Sequence, residues 1–217
     1  MKWLLIVLGL LSRVFCYAQQ APFRNEIAAF KKLDSVSMPA YNQVLFIGSS
    51  SFTLWKDVQQ HFPSVPIVNR AFGGSSLTDI IRYKEEILFK YQPKQFVLYC
   101  GENDFAMSDT VSVETVINRF KELFMLARSR YQDVPFAYVS MKPSPSRKHL
   151  VQKFMAANTK IKLFLKKYKN TAFIDVFHKM LKPDGTPMVD IFLEDNLHMN
   201  AKGYAIWQKA IAPYLKR

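Results

Sequence analysis

Cysteine is almost missing from this sequence, which has only Cys16 and Cys100 among 217 residues. So few cysteines exclude a disulfide scaffold and a zinc finger. Cys100 ends an apolar run, so we expect a buried thiol with a structural role and not a catalytic one. The histidines and carboxylates of the sequence also lack the spacing of zinc ligands. The sequence therefore predicts no metal site and no cofactor.

Acidic residues are also scarce. The sequence has 17 aspartates and glutamates compared with 30 lysines and arginines, which gives a net charge of +13. Such a charge favours anionic surfaces such as lipid headgroups, acidic polysaccharide or nucleic acid. The lysines are spread along amphipathic segments, for example between residues 160 and 169, a pattern typical of a solvated helix face. No signature of a nucleic-acid-binding module accompanies them, so nucleic acid is not a predicted partner.

Long apolar runs are absent beyond the first 20 residues, so no segment in the body of the chain is predicted to span a membrane. At the N-terminus, an apolar run from Trp3 to Leu11 follows a lysine and leads to Ala18, with polar residues after it. This layout predicts a signal peptide at residues 1–18 and an exported, periplasmic or secreted protein without stable membrane insertion. A membrane anchor is the alternative, because Arg13 makes the signal imperfect. A bulky Phe15 before Cys16 disfavours a lipoprotein.

The rest of the chain, residues 19–217, is predicted to form a single domain, because no linker or repeat divides it. Short apolar runs alternate with helical patterns along its length. The alternation predicts an α/β fold, a parallel sheet covered by helices on both faces in three layers. The predicted strands are 44–47, 66–69, 95–99, 135–139 and 172–176, and the predicted helices are 25–33, 77–91, 113–131, 150–168 and 201–215.

Glycine and polar residues gather in four clusters, three of them directly after predicted strands, where parallel sheets carry their functional groups. Each cluster alone also has a structural explanation: a helix cap, a tight turn, an Asx turn or a surface histidine. The first cluster does not fit the Gly-x-Ser-x-Gly turn of ordinary α/β-hydrolases, since Phe52 replaces the second glycine. The clusters are Gly48–Ser51, Asn69–Ser76, Gly101–Asp104 and Asp195–His198.

The last cluster places an aspartate three residues before a histidine. Asp195 can accept a hydrogen bond from the His198 imidazole and fix its tautomer, as a base that takes a proton from serine requires. The other histidines, His61, His149 and His178, are predicted to have no comparable partner.

The order of the four clusters resembles that of the SGNH (GDSL-type) hydrolases, over nearly the whole chain from Ile27 to Leu215. The resemblance implies a flavodoxin-like, five-stranded parallel sheet. It also implies that Ser50 is the nucleophile, His198 the general base and Asp195 the acid that orients the base.

The same resemblance implies an oxyanion hole made by the backbone N–H groups of Ser50 and Gly74 and by the Asn103 side chain. Ser49 stands where the family usually has the aspartate of Gly-Asp-Ser, as in a Gly-Ser-Ser variant of the family. The substitution removes none of the three residues Ser50, His198 and Asp195, but Ser49 and Ser51 remain alternative candidates for the attacking serine.

The implied activity is that of a serine esterase that cleaves short acyl esters through an acyl-enzyme. The expected partner is a small-molecule or polysaccharide ester, and O-acetyl groups on carbohydrate are the leading substrate because of the predicted export. A lysophospholipase or thioesterase acting on lipid is the alternative. A non-catalytic carbohydrate-binding module is a further one, which the intact set of Ser50, Asn103, Asp195 and His198 disfavours.

Overall fold

Five apolar segments form one sheet in the computed structural model, which describes residues 21–217. The predicted signal peptide at residues 1–18 lies outside the described residues. All strand pairs are parallel and the order is β2-β1-β3-β4-β5, which confirms the predicted flavodoxin-like sheet. The strands are β1 (Val44–Gly48), β2 (Ile67–Asn69), β3 (Gln95–Tyr99), β4 (Phe136–Val139) and β5 (Thr171–Ile174).

Helices cover both faces of this sheet and complete the predicted three layers. The helices are α1 (Arg24–Val36), α2 (Ser50–Thr53), α3 (Val58–His61), α4 (Leu77–Arg82), α5 (Glu102–Ala106), α6 (Val113–Arg130), α7 (Val151–Leu165) and α8 (Ala201–Ile211). Buried residues of α1, α4, α6 and α7 pack on one face, and those of α2, α3 and α8 pack on the other. Among residues 21–217, no helix combines the length and the hydropathy of a membrane-spanning segment.

One predicted helix, residues 77–91, is interrupted. After α4 the chain leaves helical geometry at Tyr83 and continues as a π-helical turn over Glu85–Phe89. The Tyr83 hydroxyl donates to the backbone oxygen of Pro22, 2.6 Å away, before the start of α1. Ile87 and Leu88 of this turn are buried in the core, as they would be in a continuous helix, so the apolar pattern does not reveal the interruption.

The two faces of β1 show how the sheet holds the residues that follow it. Leu45 and Ile47 point into the core under α4 and α6, whereas Val44 and Phe46 point into the core under α8. Phe52, in the turn just after β1, packs against Phe46, Tyr99 and Trp207 in this second core. A buried aromatic ring therefore fixes the short segment that carries the serine cluster.

A buried group of charges fixes α1 against the loop after β2. Asp34 of α1 accepts hydrogen bonds from Arg70 at 2.5 Å and from the Tyr91 hydroxyl at 2.6 Å. Lys90 lies 2.9 Å from the same carboxylate. Burial raises the pKa of Asp34, but the hydrogen bonds from Tyr91, Lys90 and Arg70 outweigh it and leave the pKa below its usual value. The carboxylate is therefore charged in the folded protein.

We expect Asp34→Asn to lower the free energy of unfolding by roughly 3–5 kcal/mol at pH 7, because it leaves Arg70 buried without a counter-ion. A carboxyl with a lowered folded-state pKa stabilises the protein above its unfolded pKa, and the effect is lost as the pH falls. The difference between wild type and variant should therefore shrink below about pH 4.

Urea unfolding at several pH values measures this difference, with the exposed Asp109→Asn as the matched control. A pH-independent difference between wild type and Asp34→Asn would contradict the assignment.

Candidate active site

The serine cluster follows β1 through a turn that requires glycine. Gly48 has a φ of 135°, and a Cβ atom there would lie 1.9 Å from the backbone oxygen of Tyr99. The turn places Ser50 at the first position of α2. Its amide N–H is among the first of the helix, which have no acceptor within the helix. The turn therefore presents both the hydroxyl and the amide of Ser50 to the edge of the sheet.

The three consecutive serines have different surroundings. Ser51 is buried, and its hydroxyl lies inside the protein. Ser49 is also buried, and its Oγ accepts a hydrogen bond from Asn103 at 2.7 Å. Ser50 is partly exposed, and its Oγ lies 3.1 Å from Nε2 of His198. Of the three hydroxyls, that of Ser50 is the one in contact with His198.

Asp195 and His198 form the contact that their spacing predicts. The imidazole Nδ1 lies 2.5 Å from one carboxylate oxygen, and the backbone N–H groups of Leu197 and His198 donate to the other at 2.9 Å each. Burial raises the pKa of Asp195, but these hydrogen bonds outweigh it and lower the pKa to about 2. The carboxylate stays charged at neutral pH, which favours a proton on Nδ1 and leaves Nε2 free to accept one.

Helix α8 sets the position of this histidine relative to the serine turn. Asn200 caps the helix through its side chain, two residues after His198. The Tyr204 hydroxyl, one turn into the helix, donates to the backbone oxygen of Ser51 at 2.9 Å. Trp207 packs edge-on against Phe52 at 5.9 Å between ring centres. The helix thus links the histidine loop to the serine turn directly.

The prediction that no other histidine has a comparable partner is wrong. His178 Nδ1 lies 2.7 Å from Asp175, also at a spacing of three residues, and His61 lies 3.2 Å from Asp57. The His178 side chain is 69% exposed. An Asp-x-x-His spacing thus forms the same pair outside the site, and the contact with Ser50 is what distinguishes His198.

The glycine and asparagine clusters meet beside the serine turn. A Cβ atom on Gly73 would lie 3.9 Å from Cβ of Ser50, and Gly74 has a φ of 83°. The side-chain amide of Asn103 donates to Ser49 Oγ and, at 3.0 Å, to the backbone oxygen of Ser75. Gly73 and Asn103 thus lie beside the serine turn, and the Asn103 amide donates its hydrogen bonds to Ser49 and Ser75 there.

A buried group of charges at the same edge was missed by the sequence reasoning. Glu102, beside Asn103, lies 3.2 Å from Lys142 and 3.3 Å from Arg147, and the Tyr99 hydroxyl donates to it. Lys142 is 2% exposed. Burial raises the pKa of Glu102, but the charges of Lys142 and Arg147 outweigh it and hold the pKa below its usual value.

The sequence did contain a signal for this group. Lys142 and Arg147 belong to the proline-rich segment that follows β4, and Glu102 follows β3. Residues after the ends of neighbouring parallel strands converge at one edge of a sheet, so the same rule that located the other clusters applies to them. Within residues 21–217, no group of three or more histidines, cysteines and carboxylates is arranged to hold a metal ion.

Cys100 lies under the same edge and is buried, as predicted from its place in the sequence. Its thiol faces the backbone oxygen of Ser75 at 3.6 Å. Burial raises the pKa of the thiol well above its usual value, so it stays protonated.

Comparisons with solved structures agree with this fold. A protein from Streptococcus pneumonia described as a platelet activating factor superposes with a TM-score of 0.76 at 22% identity, over 88% of this chain and 92% of that one. A GDSL-like lipase from Bacteroides thetaiotaomicron gives a TM-score of 0.71 at 18% identity, over 86% and 97%. An acetyl-xylooligosaccharide esterase variant from Geobacillus gives 0.63 at 14% identity, over 80% and 93%.

No curated protein shows significant sequence similarity to the chain. The model of the GDSL-like Lipase/Acylhydrolase family, in contrast, matches residues 48–206. This match starts at the glycine of the serine turn and extends through His198 into α8. The chain therefore belongs to the GDSL-like lipase/acylhydrolase family of ester hydrolases.

Proposed function

We propose that this protein is a serine esterase that hydrolyses short acyl esters through an acyl-enzyme, with O-acetyl groups on carbohydrate as its substrate. The observation that carries the proposal is the continuous hydrogen-bond chain from Asp195 through His198 to Ser50. A serine hydroxyl is a weak nucleophile until an adjacent base accepts its proton, and the base in turn needs a group that orients it. All three parts are in contact here.

Acylation begins when Ser50 Oγ attacks the ester carbonyl carbon and His198 Nε2 accepts the hydroxyl proton. The carbonyl oxygen becomes an oxyanion, which accepts hydrogen bonds from the N–H groups of Ser50 and Gly74 and from the Asn103 amide. To bind it, Asn103 gives up or shares its hydrogen bond to Ser49. The imidazolium then donates its proton to the departing alkoxide, and the acyl group remains on Ser50.

Deacylation repeats these steps with water as the nucleophile. His198 Nε2 accepts a proton from water as the water oxygen attacks the acyl carbon. The proton then returns to Ser50 Oγ as the carboxylic acid leaves. Asp195 stabilises the imidazolium in both halves of the reaction and stays charged throughout.

The space beside Ser50 supports a short acyl group. The cavity that Ser50 shares with Asn103 has a volume of about 10 Å³, and Glu102, Lys142 and Arg147 line it. A volume of about 10–15 Å³ holds a single water molecule. A long alkyl chain would have to lie against these charged groups, and their desolvation is unfavourable. A small acyl group such as acetyl fits this environment better.

One observation fits both the lipid alternative and a carbohydrate ester. A larger groove of about 350 Å³ is lined by Thr53, at the end of the serine turn, together with Phe30, Trp55 and Phe72. Its aromatic lining suits an alkyl chain or the apolar face of a sugar ring. The groove therefore does not separate the two candidates, and acyl-chain length does.

The carbohydrate assignment draws on the structural neighbour that is an acetyl-xylooligosaccharide esterase. Export, which we propose from the leader-like N-terminus, would bring the enzyme to polysaccharide substrates. The non-catalytic carbohydrate-binding module remains the contrasting hypothesis, and it predicts no turnover at all.

We expect Ser50→Ala to reduce hydrolysis of p-nitrophenyl acetate by about a thousandfold or more, because it removes the nucleophile. Ser51→Ala should change the rate by less than about threefold, since its buried hydroxyl is outside the chain of contacts with His198. Ser49→Ala should change it by less than about tenfold, because it removes only the hydrogen bond to Asn103. Initial-rate kinetics on the four proteins measure these effects.

Two outcomes would count against the assignment. Loss of activity in the Ser49 or Ser51 variant, with Ser50→Ala still active, would place the nucleophile elsewhere. A folded wild-type protein that turns over no ester would support the binding-module hypothesis instead.

We expect kcat/KM to fall by at least about tenfold from p-nitrophenyl acetate to the octanoate, with the butyrate between them, because the cavity beside Ser50 is small and charged. The leaving group is the same in all three esters, so the series reports on the acyl side alone. A preference for the octanoate would contradict the acetyl-ester assignment and favour the lipid alternative.

A further inference from the structure

Asn103 can contribute to an oxyanion hole only if its amide nitrogen, and not its carbonyl oxygen, faces Ser50. The two ends of an asparagine amide have the same shape, so the contacts decide which end is which. Here Nδ2 faces two acceptors, Ser49 Oγ and the backbone oxygen of Ser75. The backbone oxygen of Ser75 can only accept a hydrogen bond, so it favours this orientation, and the contact at the opposite end, Oδ1, reinforces it.

That contact is made by Arg147. Its Nη2 donates to Oδ1 of Asn103 at 2.7 Å. A guanidinium has only donors, so it can face the oxygen of the amide and not the NH₂ group. A flipped Asn103 would bring NH₂ against the guanidinium. Arg147 therefore excludes the orientation in which Asn103 has no donor directed at the serine turn.

Arg147 is itself held in place. Nη1 donates to Glu102 at 3.3 Å, while Lys142 approaches the same carboxylate with both its side chain, at 3.2 Å, and its backbone N–H, at 2.8 Å. The Arg147 side chain is 16% exposed. One carboxylate between two cationic side chains leaves an excess of positive charge behind Asn103. Such a charge favours an anion on the other side of the amide.

We propose that Arg147 is a positioning residue for the oxyanion hole, which fixes the Asn103 amide with its NH₂ group toward the serine turn and strengthens it as a donor. The inference rests on the proposed esterase function. Because a hydrogen bond to the carbonyl oxygen polarises an amide, the N–H groups of Asn103 become better donors. The benefit appears when negative charge develops on the substrate oxygen, so it lowers the barrier and leaves ground-state binding nearly unchanged.

The test compares two variants of Arg147. Arg147→Met keeps the length of the side chain and removes its donors, whereas Arg147→Lys keeps the charge but loses the paired N–H donors of the guanidinium. We expect Arg147→Met to lower kcat for p-nitrophenyl acetate about 10- to 100-fold with KM within about threefold, somewhat less than the loss of an oxyanion donor itself. Arg147→Lys should recover part of the loss. Lys148→Met, an exposed neighbour in the same turn, is the control for the loss of one positive charge.

A double-mutant cycle separates positioning from general destabilisation. In an Asn103→Ala background, Arg147→Met should cost less than about twofold, because the group through which it acts is gone. Thermal melting identifies variants that do not fold, and Arg147→Lys serves for the cycle if Arg147→Met is one of them.

Two results would overturn the inference alone: an Arg147→Met enzyme as active as wild type, or an equal loss with and without Asn103. If folded wild-type protein neither hydrolyses esters nor reacts with a fluorophosphonate probe, the proposed function fails, and this inference fails with it.

Discussion

The hydrogen bond between His198 and Ser50 joins residues 148 positions apart in sequence, and the rest of the architecture serves to make it possible. Ser50 follows the strand β1 near the centre of the sheet, whereas His198 precedes the last helix. Parallel strands bring their carboxyl ends to one edge, and α8 packs back across the sheet to the serine turn. The Tyr204 hydroxyl and the Trp207 ring hold α8 against that turn. The chemistry thus depends on packing as much as on the reacting groups.

The serine turn lacks the aspartate of the usual Gly-Asp-Ser, and the charges around it are arranged differently. Ser49 takes that place and engages the Asn103 amide, while Glu102 lies on the far side of Asn103 in contact with Lys142 and Arg147. No carboxylate adjoins Ser50 along the chain in this arrangement. The negative charge of Glu102 is neutralised by its neighbours, so it does not oppose the oxyanion of the proposed mechanism.

The strands were predictable because buried parallel strands leave short apolar runs, and four of the five lie within a residue or so of the predicted positions. The flavodoxin-like arrangement of the sheet was implied by the resemblance to the SGNH hydrolases. The interruption after Arg82 was not predictable, since the apolar period continues through a π-helical turn. Among the site residues, the Asp195–His198 pair could be predicted from local spacing, because both residues belong to one short loop. His178 shows the limit of that rule, because the same spacing there leads to no serine.

The contacts of Arg147 could not be predicted from the sequence for a different reason, although its position after a strand could. Its contacts with Asn103 and Glu102 span more than 40 residues and depend on how the segment after β4 folds over the end of β3. Because this segment follows a strand, the edge of the sheet on which it lies could be predicted. Which of its polar side chains reaches Asn103 could not. Long-range side-chain contacts of this kind depend on how distant segments pack together, and a local sequence pattern carries no information about that packing.

The proposed mechanism rests on Ser50 as the attacking serine, and mapping a covalent adduct identifies that residue. The protein is treated with a fluorophosphonate, digested and analysed by mass spectrometry, beside His198→Ala treated in the same way. We expect one phosphonyl group per chain on Ser50 and almost none in the variant, because the hydroxyl reacts only when a base accepts its proton. An adduct on Ser49 or Ser51, or equal labelling without His198, would contradict the mechanism.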